Sequence, residues 1–366
     1  MIPISKPFIS EDEIKAVSEV LKSGLIAQGP KVKEFEEQFA KFIGTKFAVA
    51  VNSGTAALHC SLYATGITLG DEVITTPFTF MATANSIIMQ GAKPIFADIE
   101  ENTFNIDPDK IESKITEKTK AILSVDLYGH PYDYKKIRKI ADKHNLIIIE
   151  DACQAAGADC NGIKCGALGD IASFSFYATK NMTTAEGGMI TTNNEKFAEL
   201  AKQFRHHGQS EKIKYEYLDL GYNYRMTDIN AAIGLAQLKK LDDWNKKRIK
   251  NAEYLSKGLS KIKSVKTPVI KNNCMHVFHQ YTIKVEDNFI LKRDALISHL
   301  NKNGIGCAVY YPKPLHLFTH IKKFGYKEGD FPVAEELSKQ VLSLPIHPGL
   351  TKEDLDLIIR TISELE

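Results

Sequence analysis

The sequence predicts an α/β fold: a mostly parallel sheet flanked by helices, with a smaller C-terminal α+β domain. Three observations carry this. Strand-like and helix-like segments alternate from Phe47 to Thr192. The strand-like ones, residues 146–150 above all, are apolar almost throughout, which suits strands buried on both faces of a parallel sheet. A chain of 366 residues, 43% hydrophobic and 25% charged, is long enough for one large domain and an appended smaller one.

Taken in order, Ile2 to Phe8, with Pro3 and Pro7, reads as an extended arm. Ser10-Glu-Asp-Glu13 is a capping box, and Ile14, Val17 and Leu21 follow at helical spacing as far as Gly24. A second helix begins after Pro30, with Val32, Phe35, Phe39 and Phe42 on one face and Gly44 as its stop. Strands are expected over 47–51, 72–76, 94–97, 121–125, 146–150, 171–176 and 189–192. Helices are expected over 56–64, 81–89 and 134–144. After Arg225 one long helical pattern runs past Trp244 to about Leu259 and reads as the bridge between domains. Strands over 280–285 and 307–310 then suit an α+β unit, closed by a helix capped at Thr351 with Leu355, Ile358, Ile359 and Ile362 inward. The expected division is an arm over 1–12, a large domain over 13–245 and a small one over 246–366.

Composition narrows the function. The net charge of +2 comes from 47 basic and 45 acidic residues without a basic run, so nucleic acid is not an expected partner. The N-terminal residues lack the basic-then-apolar pattern of a signal peptide, and no apolar segment approaches the ~20 residues that span a bilayer. The six cysteines form no framework. Cys160 and Cys165, the only close pair, miss the usual metal spacings and read as reduced thiols in a cytoplasmic protein.

The chemistry centres on Ile171-Ala-Ser-Phe-Ser-Phe-Tyr-Ala-Thr-Lys180, a strand running into a loop with one lysine. Apolar walls would lower the pKa of that amine, and an uncharged amine forms a Schiff base. Asp151 emerges at the carboxyl end of an apolar strand, where it is either a helix N-cap or a buried carboxylate in need of a positive partner. Asn52-Ser-Gly-Thr-Ala56 is either an ordinary capped turn or a phosphate cup at a helix start. Phe80 is either a core aromatic or a ring that stacks on a ligand. A lysine for an imine, a carboxylate for a ring nitrogen and a phosphate cup are the three demands of pyridoxal 5′-phosphate (PLP).

Val51-Asn-Ser-Gly-Thr-Ala-Ala-Leu58, Glu150-Asp-Ala-Cys-Gln154, Ser173-Phe-Ser-Phe-Tyr-Ala-Thr-Lys-Asn181, Glu186-Gly-Gly188 and Gly221-Tyr-Asn-Tyr-Arg-Met226 together resemble the DegT/DnrJ/EryC1/StrS sugar aminotransferases. The likeness extends from Gln28-Gly-Pro30 to Leu344-Pro-Ile-His-Pro348. It implies fold type I, a homodimer with shared active sites, and transfer of an amine from an amino acid, glutamate, to a nucleotide-linked keto sugar. The product would be an amino sugar for a surface polysaccharide or glycan. By position it makes Lys180 the Schiff-base lysine and Asp151 the partner of the ring nitrogen. Gln154 falls near the cofactor's 3-hydroxyl, Phe80 against its ring, and Ser53, Gly54, Thr55 and Ser175 at its phosphate. Asn223 would reach the phosphate from the partner subunit. Tyr311, His316 and His207 resemble segments near the sugar pocket, and no metal site is expected. Ala185 departs from the family, which often has glycine there. Two rivals share the pattern in part. Sugar dehydratases of this fold carry histidine at the lysine position, and a PLP-bound regulatory protein would lack the need for a full catalytic set.

Overall fold

The computed structural model describes residues 1–365; Glu366, the last residue of the expected C-terminal domain, lies outside them. The strands of the large sheet are β1 (Phe47–Val51), β2 (Glu72–Thr75), β3 (Lys93–Phe96), β4 (Thr119–Val125) and β5 (Ile147–Asp151), then β8 (Ile171–Ser175) and β9 (Gly188–Thr192), in the order β1-β9-β8-β5-β4-β2-β3. Two short strands, β6 (Asp159–Cys160) and β7 (Ile163–Lys164), lie between β5 and β8 in the chain. Every pairing from β3 across to β8 is parallel, whereas β9 runs antiparallel to both β8 and β1. β1, β5 and β8 therefore end on the same edge of the sheet, which is where open α/β sheets hold their ligands.

Burial on both faces explains the apolar strands. β1 sends Val49 and Val51 into one core and Ala48 and Ala50 into the other, and β5 divides Ile149 from Ile148 in the same way. Helices cover both faces. The first ones are α1 (Glu11–Ser23), α2 (Pro30–Ile43), α3 (Gly54–Ala64), α4 (Met81–Met89), α5 (Tyr134–His144) and α6 (Glu195–Arg205). The Ser10 capping box forms as expected, with Glu13 bonding back to the cap, and Gly24 and Gly44 end their helices in the left-handed conformation.

The expected long bridging helix is two helices, α7 (Asp228–Leu238) and α8 (Leu241–Leu259). They part at Lys239–Lys240, where the Lys240 ammonium is drawn across to Glu13 at 2.8 Å and Asp12 at 2.9 Å. A second sheet joins β10 (Val265–Lys266), β12 (Tyr281–Val285) and β13 (Val341–Leu344), while β11 (Cys274–Met275) pairs with β6. The remaining helices are α9 (Arg293–Lys302), α10 (Thr319–Lys322), α11 (Pro332–Gln340) and α12 (Lys352–Ser363). A third core gathers Leu255 and Leu259 of α8, Ile283, Leu342, and Leu355, Ile358 and Ile362 of α12. The arm docks there too, with Ile2 donating its N–H to Gly304 at 2.7 Å. Leu315, Ile321 and Phe331 instead pack into a core of the large sheet.

Two further expectations are corrected. Residues 307–310 form no strand, only a bridge between Ala308 and Ser343, because the chain leaves the sheet there to carry Tyr310 and Tyr311 into a cavity. Cys160 is not a free thiol. It stands opposite Cys274 in the β6–β11 pair and forms a disulfide with it across 114 residues, while Cys165 is free and buried. No helix among the described residues is long and apolar enough to cross a membrane.

Candidate active site

At the carboxyl edge of the large sheet lies a cavity of about 520 Å³, walled by the ends of β1, β5 and β8 and by Tyr310 and Tyr311. Eight expected cofactor contacts, Ser53, Gly54, Thr55, Phe80, Asp151, Gln154, Ser175 and Lys180, line it, and so does Tyr311.

Asp151 closes β5 and is 5% exposed. Its Oδ2 accepts from the Thr83 hydroxyl at 2.8 Å and its Oδ1 from the Cys153 N–H at 3.2 Å. Both carboxylate oxygens are thus oriented before any ligand arrives. Lys180 sits on the loop after β8, its own N–H bonded to the Tyr177 carbonyl at 2.9 Å. Desolvation holds its ammonium below the ordinary value, opposed by Cys153 and by the Asp151 charge. Gln154 is tied at both ends of its amide: Oε1 accepts from Tyr128 N–H at 2.9 Å, and Nε2 donates to the Tyr311 hydroxyl at 3.3 Å.

Ser53 caps α3 through a 3.1 Å bond from Ala56 N–H. The N–H groups of Gly54 and Thr55 at that helix start have no acceptor among the described residues. A Cβ on Gly54 would fall 2.7 Å from the Ser175 Cβ, so the α3 start and the end of β8 meet with no room for a side chain. Phe80, 58% exposed, projects at the mouth with its ring centroid 6.4 Å from that of Tyr311.

The family model of the DegT/DnrJ/EryC1/StrS aminotransferases matches residues 7–363. The chain belongs to that family. It is 42% identical to the spore coat polysaccharide biosynthesis protein SpsC of Bacillus subtilis, covering 100% of this chain and 97% of the relative. It is 38% identical to the GDP-perosamine synthase of Caulobacter vibrioides, covering 100% and 98%. Among solved structures, the PMP-form of Spr1654 from Streptococcus pneumoniae superposes with a TM-score of 0.95 at 33% identity, over 100% of this chain and 97% of that one.

Not every residue expected from the family resemblance reaches the cavity. His316 is fully buried away from it, with Nε2 and Glu335 Oε1 3.0 Å apart and its ring against Phe331. The structure thus places His316 in the core beside α11 and outside the cavity wall, with its Nδ1 left without a partner. His207 is exposed and in a left-handed conformation, and it is not part of the cavity wall. Asn223 is also exposed and outside the wall, its carbonyl accepting from Asn52 Nδ2 at 3.4 Å. Ala185 takes up a positive φ of 67°, the conformation that glycine would adopt there without strain.

Sequence reasoning missed Thr83, Tyr310, His279 and Gln280, all in the wall. Thr83 was open to discovery, since it lies one helical turn beyond Phe80 on the same stretch. His279 was not marked by spacing or neighbours. Beneath the site, Asp126, Glu150 and Cys165 gather in the core. Glu150 accepts from the N–H groups of Gly166, Leu168 and Gly169, and burial, with repulsion from Glu150, raises the Asp126 carboxyl well above its ordinary value.

Proposed function

We propose that this chain is a PLP-dependent aminotransferase that moves an amine from an amino acid, L-glutamate, to a nucleotide-linked keto sugar, working as a homodimer with shared active sites. The observation that carries the reading is the pairing, in one cavity, of a lysine whose basicity burial lowers with an oriented carboxylate. The residues fit the group. The free N–H groups of Gly54 and Thr55, the α3 dipole and the Ser175 hydroxyl suit a phosphate, and the side-chain-free approach at Gly54 suits its close seating. When bound, PLP supplies a carbonyl for the amine and a ring that accepts the electron pair left when a Cα proton departs.

The chain's own groups then have separate tasks. Lys180 Nζ, its basicity lowered by desolvation, would anchor the cofactor and, once released, carry the proton between carbon centres. Asp151, held by Thr83 and Cys153, keeps the ring nitrogen protonated. Gln154 would serve the 3-hydroxyl side, and Phe80 would cover a ring face and limit water. Asn223, exposed and outside its own cavity wall, would donate to the partner's phosphate site. In this reading residues 13–245 form the cofactor-binding unit and 246–366 the smaller one, and the product serves glycan or polysaccharide synthesis. The lysine at position 180 supports transamination over the dehydratase alternative.

The test is spectroscopic. The PLP-loaded protein should show an imine band that bleaches on adding glutamate and returns on adding one of a panel of nucleotide-linked 3-keto and 4-keto sugars. A band that glutamate leaves untouched would refute the donor; a bleached band that no keto sugar restores would refute the acceptor.

A further inference from the structure

We propose that His279 is the positioning residue for the acceptor, hydrogen-bonding a hydroxyl of the sugar and so fixing which carbonyl faces Lys180. This rests on the keto-sugar reading above. His279 is 6% exposed and forms part of the cavity wall, and neither of its ring nitrogens has a hydrogen-bond partner among the described residues: Nδ1 is fully buried, which leaves Nε2 as the nitrogen a ligand in the cavity can reach. A polar atom that loses water to a ligand without gaining a partner is costly, so a hydroxyl seated at Nε2 is favoured over an apolar group.

The backbone on either side of the ring is also held. Val277 donates its N–H to Gly129 at 3.0 Å and Gln280 donates to Tyr128 at 3.2 Å. From the other side Asn181, next to Lys180 in the chain, donates Nδ2 to the Val277 carbonyl at 3.0 Å. Gly129, at φ 98°, lies where these segments touch: a Cβ there would fall 3.0 Å from the Gln154 carbonyl and 3.1 Å from His279 N. The chain segment that carries the imidazole is thereby tied to the segments that carry Lys180 and Gln154.

Its protonation state selects the ligand. Burial, then the charges of Lys180, Arg248 and His276, holds the ring well below its ordinary value, so it is neutral at physiological pH. A neutral imidazole offers one donor and one acceptor, the same pair that a hydroxyl offers. The carboxylate of an amino acid donor would call for a cation instead.

The experiment uses PLP-loaded wild type, His279→Asn and His279→Gln, with glutamate and whichever nucleotide-linked keto sugar the wild type aminates. The glutamate half-reaction should change by less than about twofold, while the acceptor KM rises about tenfold or more in His279→Asn, the equivalent of one hydrogen bond. Calorimetric titration with the aminated sugar product should show the same loss in Kd without turnover. His279→Gln, whose amide nitrogen approximates the ring Nε2, should recover part of the affinity and also guards against a folding failure. Unchanged acceptor and product binding in both variants would overturn the assignment. So would an equal loss in both half-reactions, because the residue would then act through the cofactor. A wild type that bleaches with glutamate but aminates no keto sugar overturns the acceptor reading itself, and this assignment with it.

Discussion

Asp151→Asn separates structure from chemistry at the site. The carboxylate accepts two hydrogen bonds, from Thr83 at 2.8 Å and from Cys153 N–H at 3.2 Å, in a place that is 5% exposed. Asparagine keeps one carbonyl oxygen for Cys153, and Thr83, which also bonds Thr79 at 3.2 Å, can turn its hydroxyl to accept from the new amide. The fold should thus lose no more than about 1 kcal/mol, the net worth of one neutral hydrogen bond. The ring nitrogen, however, exchanges an ionic partner for a neutral one. Charged hydrogen bonds are worth roughly 1.5–3 kcal/mol, so the step that needs a protonated ring should slow by roughly ten- to 150-fold. Single-turnover bleaching with saturating glutamate measures that step directly, with cofactor retention checked by absorbance after gel filtration. A loss under about tenfold, or about 1.4 kcal/mol, would refute the role.

Lys180→Ala should abolish bleaching and turnover while leaving the melting temperature near that of the wild type, and Lys180→Arg should fail equally because a guanidinium stays protonated; normal turnover in either would sink the assignment. Mixing Lys180→Ala with Asn223→Ala subunits should restore activity through hybrid dimers having one intact site, and an exchanged mixture no better than its parents would show that Asn223 does not act in trans. Reducing the Cys160–Cys274 disulfide releases a loop of 114 residues. Chain entropy puts its worth at about 4.8 kcal/mol, or about 6 °C in melting temperature for a chain this long, and an unmoved melt under reductant would refute it. Asp126, its folded value raised by burial and Glu150, keeps a proton that the unfolded chain releases above about pH 4, so its contribution fades as pH rises through the folded value. Asp126→Asn should flatten that decline, by up to about 1.4 kcal/mol per pH unit, and identical slopes of denaturant midpoint against pH would count against it.

Much of the fold was legible because the strands advertise two-sided burial: Ile147 to Ile149 feed two cores at once, and no other environment calls for such a run. What was hidden depends on contacts far apart in sequence. The break between α7 and α8 follows from Lys240 reaching α1, which no local pattern reports. The disulfide follows from the pairing of β6 with β11. At the site, Lys180, Asp151 and Gly54 were readable because each stands where a strand ends, and strand ends are visible. The histidines show the opposite case. His316, to which the family resemblance points, packs against Glu335, whereas His279, in the cavity wall, takes its place from Gly129 and Asn181.

The Glu186-Gly-Gly188 turn shows why the cavity forms where it does. β9 reverses direction between β1 and β8, and Gly188 stands in register with Val51 on one side and Ser175 on the other. A Cβ on Gly188 would lie 2.3 Å from the Ser53 carbonyl and 2.9 Å from that of Phe174. The missing side chain lets two strands that are not neighbours close over the third. That closure brings the α3 start against Ser175 and puts Gly54 and Thr55 in the same cavity wall as Asp151. The turn leading in is strained at Ala185, and strain of this kind costs on the order of 1–3 kcal/mol. It persists because the surroundings over-determine it: Thr183 Oγ1 accepts from Ala185 N–H at 2.9 Å, and Asn230 Nδ2 grips the carbonyls of Thr184 and Glu186 at 2.6 and 3.0 Å. Asn230 is in turn fixed on α7 by the Thr227 cap, so the helix that begins the passage to the smaller sheet also holds the loop that leads into β9.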